Sequence, residues 1–263
     1  LLGIWAIFPI GFFIFDILFE ISPQIFPKRL IDLSLYAISD IHLSLGCDKP
    51  MDVFPGWDNY VEKLKVNWSS LVADGDTVVI AGDISWGMSL KESLADFQFI
   101  HDLPGKKIIL KGNHDYWWDT VTKMDAYLFQ NGITSIQFLH NNCFFTENFA
   151  LCGTRGWMSD NGEAQNKKMI AREALRLETS LQLAQGKDYE KLVFLHYPPI
   201  MGGNECTELT DVLKKYGVNR CFYGHIHSQK VPRPQRFFRD GIEYDILSCN
   251  YLNFTPLKIT GKQ

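Results

Sequence analysis

Short apolar runs alternate along this chain with stretches in which apolar residues recur every three or four positions. Leu35–Ser39, Thr77–Ala81 and Lys107–Leu110 are apolar runs of strand length with turn or polar residues at their flanks. Between the first two, Trp57–Ala73 carries apolar residues at Tyr60, Val61, Leu64, Trp68, Leu71 and Val72, which is helical spacing. Ser89–Leu103, stopped by Pro104-Gly105, and Tyr116–Gln130, closed by Asn131-Gly132, predict two more helices. Strand and helix therefore alternate through the first half, the pattern of an α/β layered fold.

The second half changes character. Ile136–Leu139, Cys143–Thr146 and Phe149–Cys152 predict short strands with turns at Asn141-Asn142 and Glu147-Asn148. A long helix over Gln165–Gln185 follows, then a strand at Leu192–Leu195, a helix at Leu209–Tyr216 and a strand at Arg220–Tyr223. Phe237–Arg239 and Ile242–Leu247 read as a hairpin around Asp240-Gly241. There is no internal repeat and no low-complexity tract, so the expectation is one domain with two sheets over residues 33–263.

Residues 1–32 stand apart. Leu1–Ile21 is almost continuously apolar, broken by Asp16 and Glu20, and Ser22–Pro27 carries two prolines and reads as a linker. The uncharged run stops at Phe15, short for a membrane span. It also lacks the basic start and small-residue cleavage site of a signal peptide. If it contacts a membrane, Lys28 and Arg29 hold the domain on the cytoplasmic side. A helix packed on the domain is a further reading. The expectation is a loose anchor, or translated AT-rich upstream DNA, rather than an integral element, and a cytoplasmic protein either way.

Composition narrows the functional classes. Hydrophobic residues make up 46% and charged residues 21%, ordinary for a globular enzyme. A net charge of −4 argues against a stable nucleic-acid partner, and makes a DNA nuclease a poor fit. The six cysteines (47, 143, 152, 206, 221 and 249) form no C-x-x-C pair and no compact framework, and read as small buried side chains of a reducing compartment.

The chemistry lies where apolar strands run into polar residues. The first gives Asp40-Ile41-His42, the second Gly82-Asp83, and the third Gly112-Asn113-His114-Asp115. Later strands deliver His196 and Gly224-His225-Ile226-His227. Functional groups of open α/β sheets gather beyond the carboxyl ends of the strands, so five such endings converge on one site. Five of the chain's seven histidines fall in this set; His101 and His140 do not and carry no assigned role. Imidazole suits Zn or Fe and carboxylate or amide oxygen suits Mn or Mg. No thiolate belongs to the set, so it is not a closed structural zinc site. Seven donors are too many for one tetrahedral ion and suit two divalent ions sharing a carboxylate. The glycines at 82, 112 and 224 let the backbone pass close by.

D-x-H, G-D, G-N-H-D, a lone His after a strand and G-H-x-H, in this order, resemble the calcineurin-like metallophosphoesterase family. The flanking text (SDIHLS, AGDISW, LKGNHDYWW, GTRGW, YGHIH) is similar to a bacterial group of predicted phosphohydrolases within it. The resemblance implies a two-sheet β-sandwich flanked by helices, in four layers. It implies two metal ions, most readily Mn, Fe or Zn. Asp40, His42 and His227 would hold the first, Asn113, His196 and His225 the second, with Asp83 bridging. It implies hydrolysis of a phosphomonoester or small phosphodiester by metal-activated water, with His114 facing the phosphate as charge stabiliser or acid and Asp115 orienting it.

Softer candidates surround these. Arg155, in Gly153-Thr154-Arg155-Gly156-Trp157, either grips phosphate or pairs with a neighbouring acid. Trp86, Tyr116, Trp117 and Trp118 either stack on substrate or pack the core, and Asn204 and Glu205 lie in a loop that would line the pocket. Two rival readings remain: a membrane-surface hydrolase of a lipid-linked pyrophosphate, resting on the apolar residues 1–21, and an inactive scaffold of the same fold. The sequence leaves substrate, metal identity and oligomeric state open.

Overall fold

The computed structural model describes residues 33–157, 164–201, 203–227 and 236–260. The apolar segment at 1–32 lies outside the described residues. Among the described residues no helix is long and apolar enough to cross a membrane.

The first half builds β1 (Leu35–Ile38), α1 (Tyr60–Leu71), β2 (Thr77–Ile80), α2 (Leu94–Asp102), β3 (Lys106–Ile109), α3 (Val121–Gln130) and β4 (Ile136–Phe138). The second builds β5 (Phe144–Phe145), β6 (Phe149–Thr154), α4 (Ala164–Gln182), β7 (Glu190–Leu195), β8 (Ile200–Met201), β9 (Asn204–Glu205), α5 (Thr207–Lys215), β10 (Arg220–Tyr223), β11 (Arg236–Arg239), β12 (Ile242–Ile246) and β13 (Leu257–Ile259). One sheet has the order β13-β1-β2-β3-β4, the other β11-β12-β10-β7-β6-β5, and β8-β9 form a small ribbon. Strands β1 to β4 run parallel, as do β12, β10, β7 and β6; antiparallel β13, β11 and β5 occupy edges.

Alternation within each strand decides the layers. Leu35, Ala37, Val79, Ala81 and Ile108 from the first sheet meet Leu151, Leu192, Phe194 and Phe222 from the second in the central layer. The opposite faces are also apolar. Tyr36, Ile38, Val78, Ile80 and Ile109 pack under Leu64, Trp68, Phe97, Met124 and Leu128 of α1, α2 and α3. Val193, Leu195, Cys221 and Tyr223 pack under Leu177, Leu181, Leu209 and Leu213 of α4 and α5. Burial on both faces is why the strands read as continuous apolar runs, as parallel strands do. The result is the expected helix–sheet–sheet–helix sandwich.

Three expectations shift. Helix α2 begins at Leu94 rather than Ser89, and α3 at Val121 rather than Tyr116. In the latter case main-chain bonds from Tyr116 to His114 and from Trp118 to Asp115 spend the segment on tight turns. Strand β13 was not foreseen: it is three residues long, and its place beside β1 comes only from the register Leu35↔Ile259.

Candidate metal centre

Parallel strands in both sheets end at one edge, and each ending turns a polar side chain inward. Asp40 and His42 follow β1, Asp83 follows β2 and Asn113 follows β3; His196 follows β7, and His225 and His227 follow β10. Asp40, His42, Asp83 and His225 all take left-handed backbone, at φ of 59°, 44°, 52° and 70°. Such conformations are costly for side chains with a Cβ and persist only where the surroundings enforce them. Glycines make room for these turns. A Cβ on Gly112 would run into the carboxylate and main-chain nitrogen of Asp83, and one on Gly224 into Ser39 and the Asp40 carboxylate.

The donors converge. His42 Nε2 lies 3.1 Å from His227 Nε2, and Asp40 Oδ1 lies 3.2 Å from the same nitrogen. Asp83 Oδ2 stands 3.7 Å from His42 Nε2 and 3.5 Å from His196 Nε2. Asn113 Oδ1 is 2.6 Å from His196 Nε2 and 2.8 Å from His225 Nδ1. Asp40, His42, Asp83 and His227 form one group whose ligand atoms lie within 4.8 Å of one another, and Asp83, His196 and His225 form a second; Asp83 belongs to both. His196 Nδ1 faces the Ala81 carbonyl at 3.1 Å, so as the donor it leaves Nε2 bare toward the cluster. His42 Nδ1, buried, has no hydrogen-bond partner among the described residues. Imidazole nitrogens and carboxylate oxygens turned on one another in the interior suit bound cations far better than an all-protein hydrogen-bond network.

Charge in the cluster without metal follows from burial. Desolvation raises the Asp83 pKa to about 9, and the neighbouring carboxylates of Asp40 and Asp115 push the same way. Asp40 is held well below the usual carboxylate range: burial raises it, but His227, His196 and His42 together outweigh that. Burial lowers His196 to about 3 and holds His42 well below its ordinary value. These imidazoles are therefore neutral, the form that binds metal.

The flanking residues fall differently. His114 stands with its ring 4.5 Å from that of Trp86 and 5.7 Å from that of His42, and its Nδ1 has no hydrogen-bond partner among the described residues. Asp115 has other partners than the expected one. Its carboxylate accepts from the main-chain nitrogens of Gly112 (2.7 Å), Asp83 (3.0 Å) and Ile84 (2.8 Å) and from Trp117 Nε1 (3.1 Å). It thus pins the turn carrying Asp83 to the turn carrying Asn113. Trp117 is buried in the core, whereas Trp86 lines a cavity of about 460 Å³ with His42, Met51, Trp57, His114 and His227. Tyr116 is exposed. Glu205 is held by Arg239 at 2.6 Å and Thr210 at 2.6 Å, which points to a structural place for it. Arg155 reaches the buried Glu173 at 4.0 Å and lies over the Trp157 ring.

Sequence reasoning missed the residues after β12. Ser248 Oγ donates to Asp40 Oδ2 at 2.9 Å, and Cys249 Sγ to the Asp40 carbonyl at 2.9 Å. Asn250 bonds the His227 carbonyl at 3.1 Å and stands 3.3 Å from its Nδ1. The signal was weaker here, because Glu243 and Asp245 interrupt the strand that Ser-Cys-Asn follows.

Several known proteins are similar to this chain. Residues 33–229 match the model of the calcineurin-like phosphoesterases. The gene 66 protein of Mycobacterium phage L5 is 39% identical over 80 residues, which cover 29% of this chain and 37% of that protein. Phosphopantetheinyl hydrolase from Mycobacterium tuberculosis superposes with a TM-score of 0.53 at 12% identity, over 87% of this chain and 96% of that one. The protein TT1561 of Thermus thermophilus gives 0.54 at 14% identity, over 87% and 98%. The two structures speak to the fold alone. The match to the family model, over most of the chain and across the strand endings from Asp40 to His227, shows that the chain belongs to the calcineurin-like phosphoesterase family.

Proposed function

We propose that this chain is a dinuclear metal-dependent phosphoester hydrolase whose catalytic domain spans residues 33–263. One observation carries the reading: Asp83 is shared by two donor groups drawn from both sheets. Asp40, His42 and His227 would hold one ion and Asn113, His196 and His225 the other, with Asp83 belonging to both donor groups. When bound there, two divalent ions would supply positive charge for the phosphate oxygens and a more acidic water.

The protein supplies orientation and proton handling. His114 faces the cluster beside Trp86 and donates a proton to the leaving oxygen. Burial lowers its pKa, with His225 acting in the same direction, so it must take up that proton as the anionic substrate arrives. The cavity walled by Met51, Trp57 and Trp86 accepts the apolar part of the leaving group. Arg155 contributes positive charge beside the turn that carries His196. The family acts on phosphorylated molecules, and the substrate here is a phosphomonoester or a small phosphodiester.

The test is hydrolysis of paired chromogenic mono- and diesters by chelator-stripped protein, with Mn, Fe, Zn, Co, Ni and Mg restored one at a time. Turnover regained with metal is the expected result, and the better ester of each pair identifies the class. Failure to bind any of these ions would sink the proposal.

A further inference from the structure

Beside the metal centre lies a cavity of about 430 Å³ lined by Lys111, Trp118, His140, Arg155, Arg172 and Arg176, with Asp119 and Thr120 at its wall. Its residues come from four places in the chain: the end of β3, the turns after it, the turn after β4, and the segment from β6 into α4. Four cations therefore face two carboxylates, Asp119 and the buried Glu173 beneath them. Neither carboxylate is free. Asp119 accepts from the Thr120 nitrogen at 2.7 Å and from Lys123 at 3.0 Å. Glu173, with no exposed surface, accepts from Thr154 at 2.6 Å and Arg176 at 2.8 Å. Arg172 stands 3.8 Å and Arg155 4.0 Å from that one oxygen of Glu173. One carboxylate cannot neutralise three guanidinium groups, and Arg155 Nε is buried with no hydrogen-bond partner among the described residues. Like charges this close repel, and in a partly desolvated wall the repulsion is weakly screened. Burial lowers the pKa of His140, and Arg176 and Lys111 add to the effect. Among the cavity's charged lining residues, four cations stand against the single carboxylate Asp119.

We propose that this cavity is a phosphate-binding subsite. Guanidinium groups present paired donors that match phosphate oxygens, and three of them around one space with a lysine suit a polyanionic group better than a lone carboxylate. Its position follows from the chain. Lys111 is separated from Asn113 by one glycine, and the Arg155 carbonyl accepts the main-chain N–H of His196 at 3.0 Å. The main chain of Lys111 and Arg155 therefore adjoins that of two donor residues, Asn113 and His196. The subsite deepens the proposed function and rests on that reading for its meaning; its lining shares no residue with the Trp86 cavity. The occupant is either a second phosphate of the substrate or free inorganic phosphate.

The first measurement uses the full chain stripped of metal, titrated calorimetrically with inorganic phosphate at constant ionic strength. Saturable binding is expected, weakened about tenfold by Arg172→Gln, since a charge-assisted contact is worth roughly that much. Arg172 is half exposed and Glu173 keeps its bond to Arg176, so this variant folds. Lys65→Gln, an exposed cation on α1 outside the cavity lining, binds as the parent does. No saturable binding, or equal binding by parent and Arg172→Gln, overturns the subsite. Because no metal and no turnover are involved, this result stands apart from the hydrolase reading, whose failure would show only as absent metal binding or hydrolysis. The second measurement compares binding of an alkyl monophosphate and the matching diol bisphosphate to metal-loaded protein. Tighter bisphosphate binding that Arg172→Gln abolishes supports the subsite with the substrate as its source. Equal binding of the two, with phosphate binding retained, supports it with inorganic phosphate as the occupant.

Discussion

The two sheets meet at one cluster but bring different chemistry to it. After β1, β2 and β3 the first sheet delivers every oxygen donor, Asp40, Asp83 and Asn113, with a single imidazole, His42. After β7 and β10 the second delivers only imidazoles, His196, His225 and His227. They are also held differently. The first-sheet turns are fixed by main-chain bonds, above all those converging on Asp115, and by glycines that let the turns touch. Of the second-sheet imidazoles, His196 faces the Ala81 carbonyl, whereas side chains hold the other two: His225 lies 4.4 Å from the Tyr197 ring, and Asn250 bonds the segment carrying His227. A carboxylate taken out of water needs a rigid cage, because its charge must meet its counter-charges on arrival. A neutral imidazole needs only an orientation. Damage to the first sheet should therefore cost more than comparable damage to the second.

The largest effect is expected at the bridge. Asp83→Asn should lower turnover on the order of a thousandfold or more, because metal-assisted charge stabilisation supplies several kcal/mol. Parallel metal analysis should find less than the full complement. Gly112→Ala comes next: its methyl displaces Asp83, and misplacement of about an ångström costs on the order of a hundredfold. Activity of this variant no lower than that of Asn250→Ala would break the comparison. Asn250→Ala, acting on His227 alone, should weaken metal affinity about tenfold, measured by competition with a chelating dye.

The smallest effect is on stability and sharpens the contrast by sign. Asp83 carries a folded pKa of about 9 against an ordinary 3.8, so its contribution falls progressively above 3.8 and is gone once the pH passes about 9. His196 carries about 3 against an ordinary 6.5, and His42 is also lowered, so their contribution is lost as pH falls below 6.5. His227, raised, adds to the loss on the alkaline side. Chelator-treated protein should thus melt highest near pH 6.5, the ordinary imidazole value, and several degrees lower by pH 9. Asp83→Asn should flatten the alkaline limb and leave the acid limb in place. A melting curve that climbs steadily to pH 9 would contradict these assignments.

The donors were legible because each follows a buried strand, and an apolar run ending in Asp, Asn or His stands out in one dimension. Ser248 and Asn250 also follow a buried strand, but Glu243 and Asp245 interrupt it, so no apolar run pointed to them. Asp115 could not be read correctly from its neighbour His114, since its partners lie 31 and 32 residues away on another turn. The cavity around Arg155 was invisible for a similar reason. Arg172 and Arg176 share a helical face, four residues apart, but Lys111 and His140 stand at no spacing from them, and only the fold assembles the set. Strand β13 is too short to carry a period.

That last strand has a consequence for how the molecule is made. β1 is flanked by β2 on one side and β13 on the other, and the bridge from Ser39 to Ser248 continues the pairing past its end. During synthesis β1 emerges more than two hundred residues before its second neighbour. The nascent first sheet therefore carries an open edge, able to pair with other chains, until β13 arrives. His225 and His227 also emerge late, so the donor cluster and the first sheet are completed within a few dozen residues of each other.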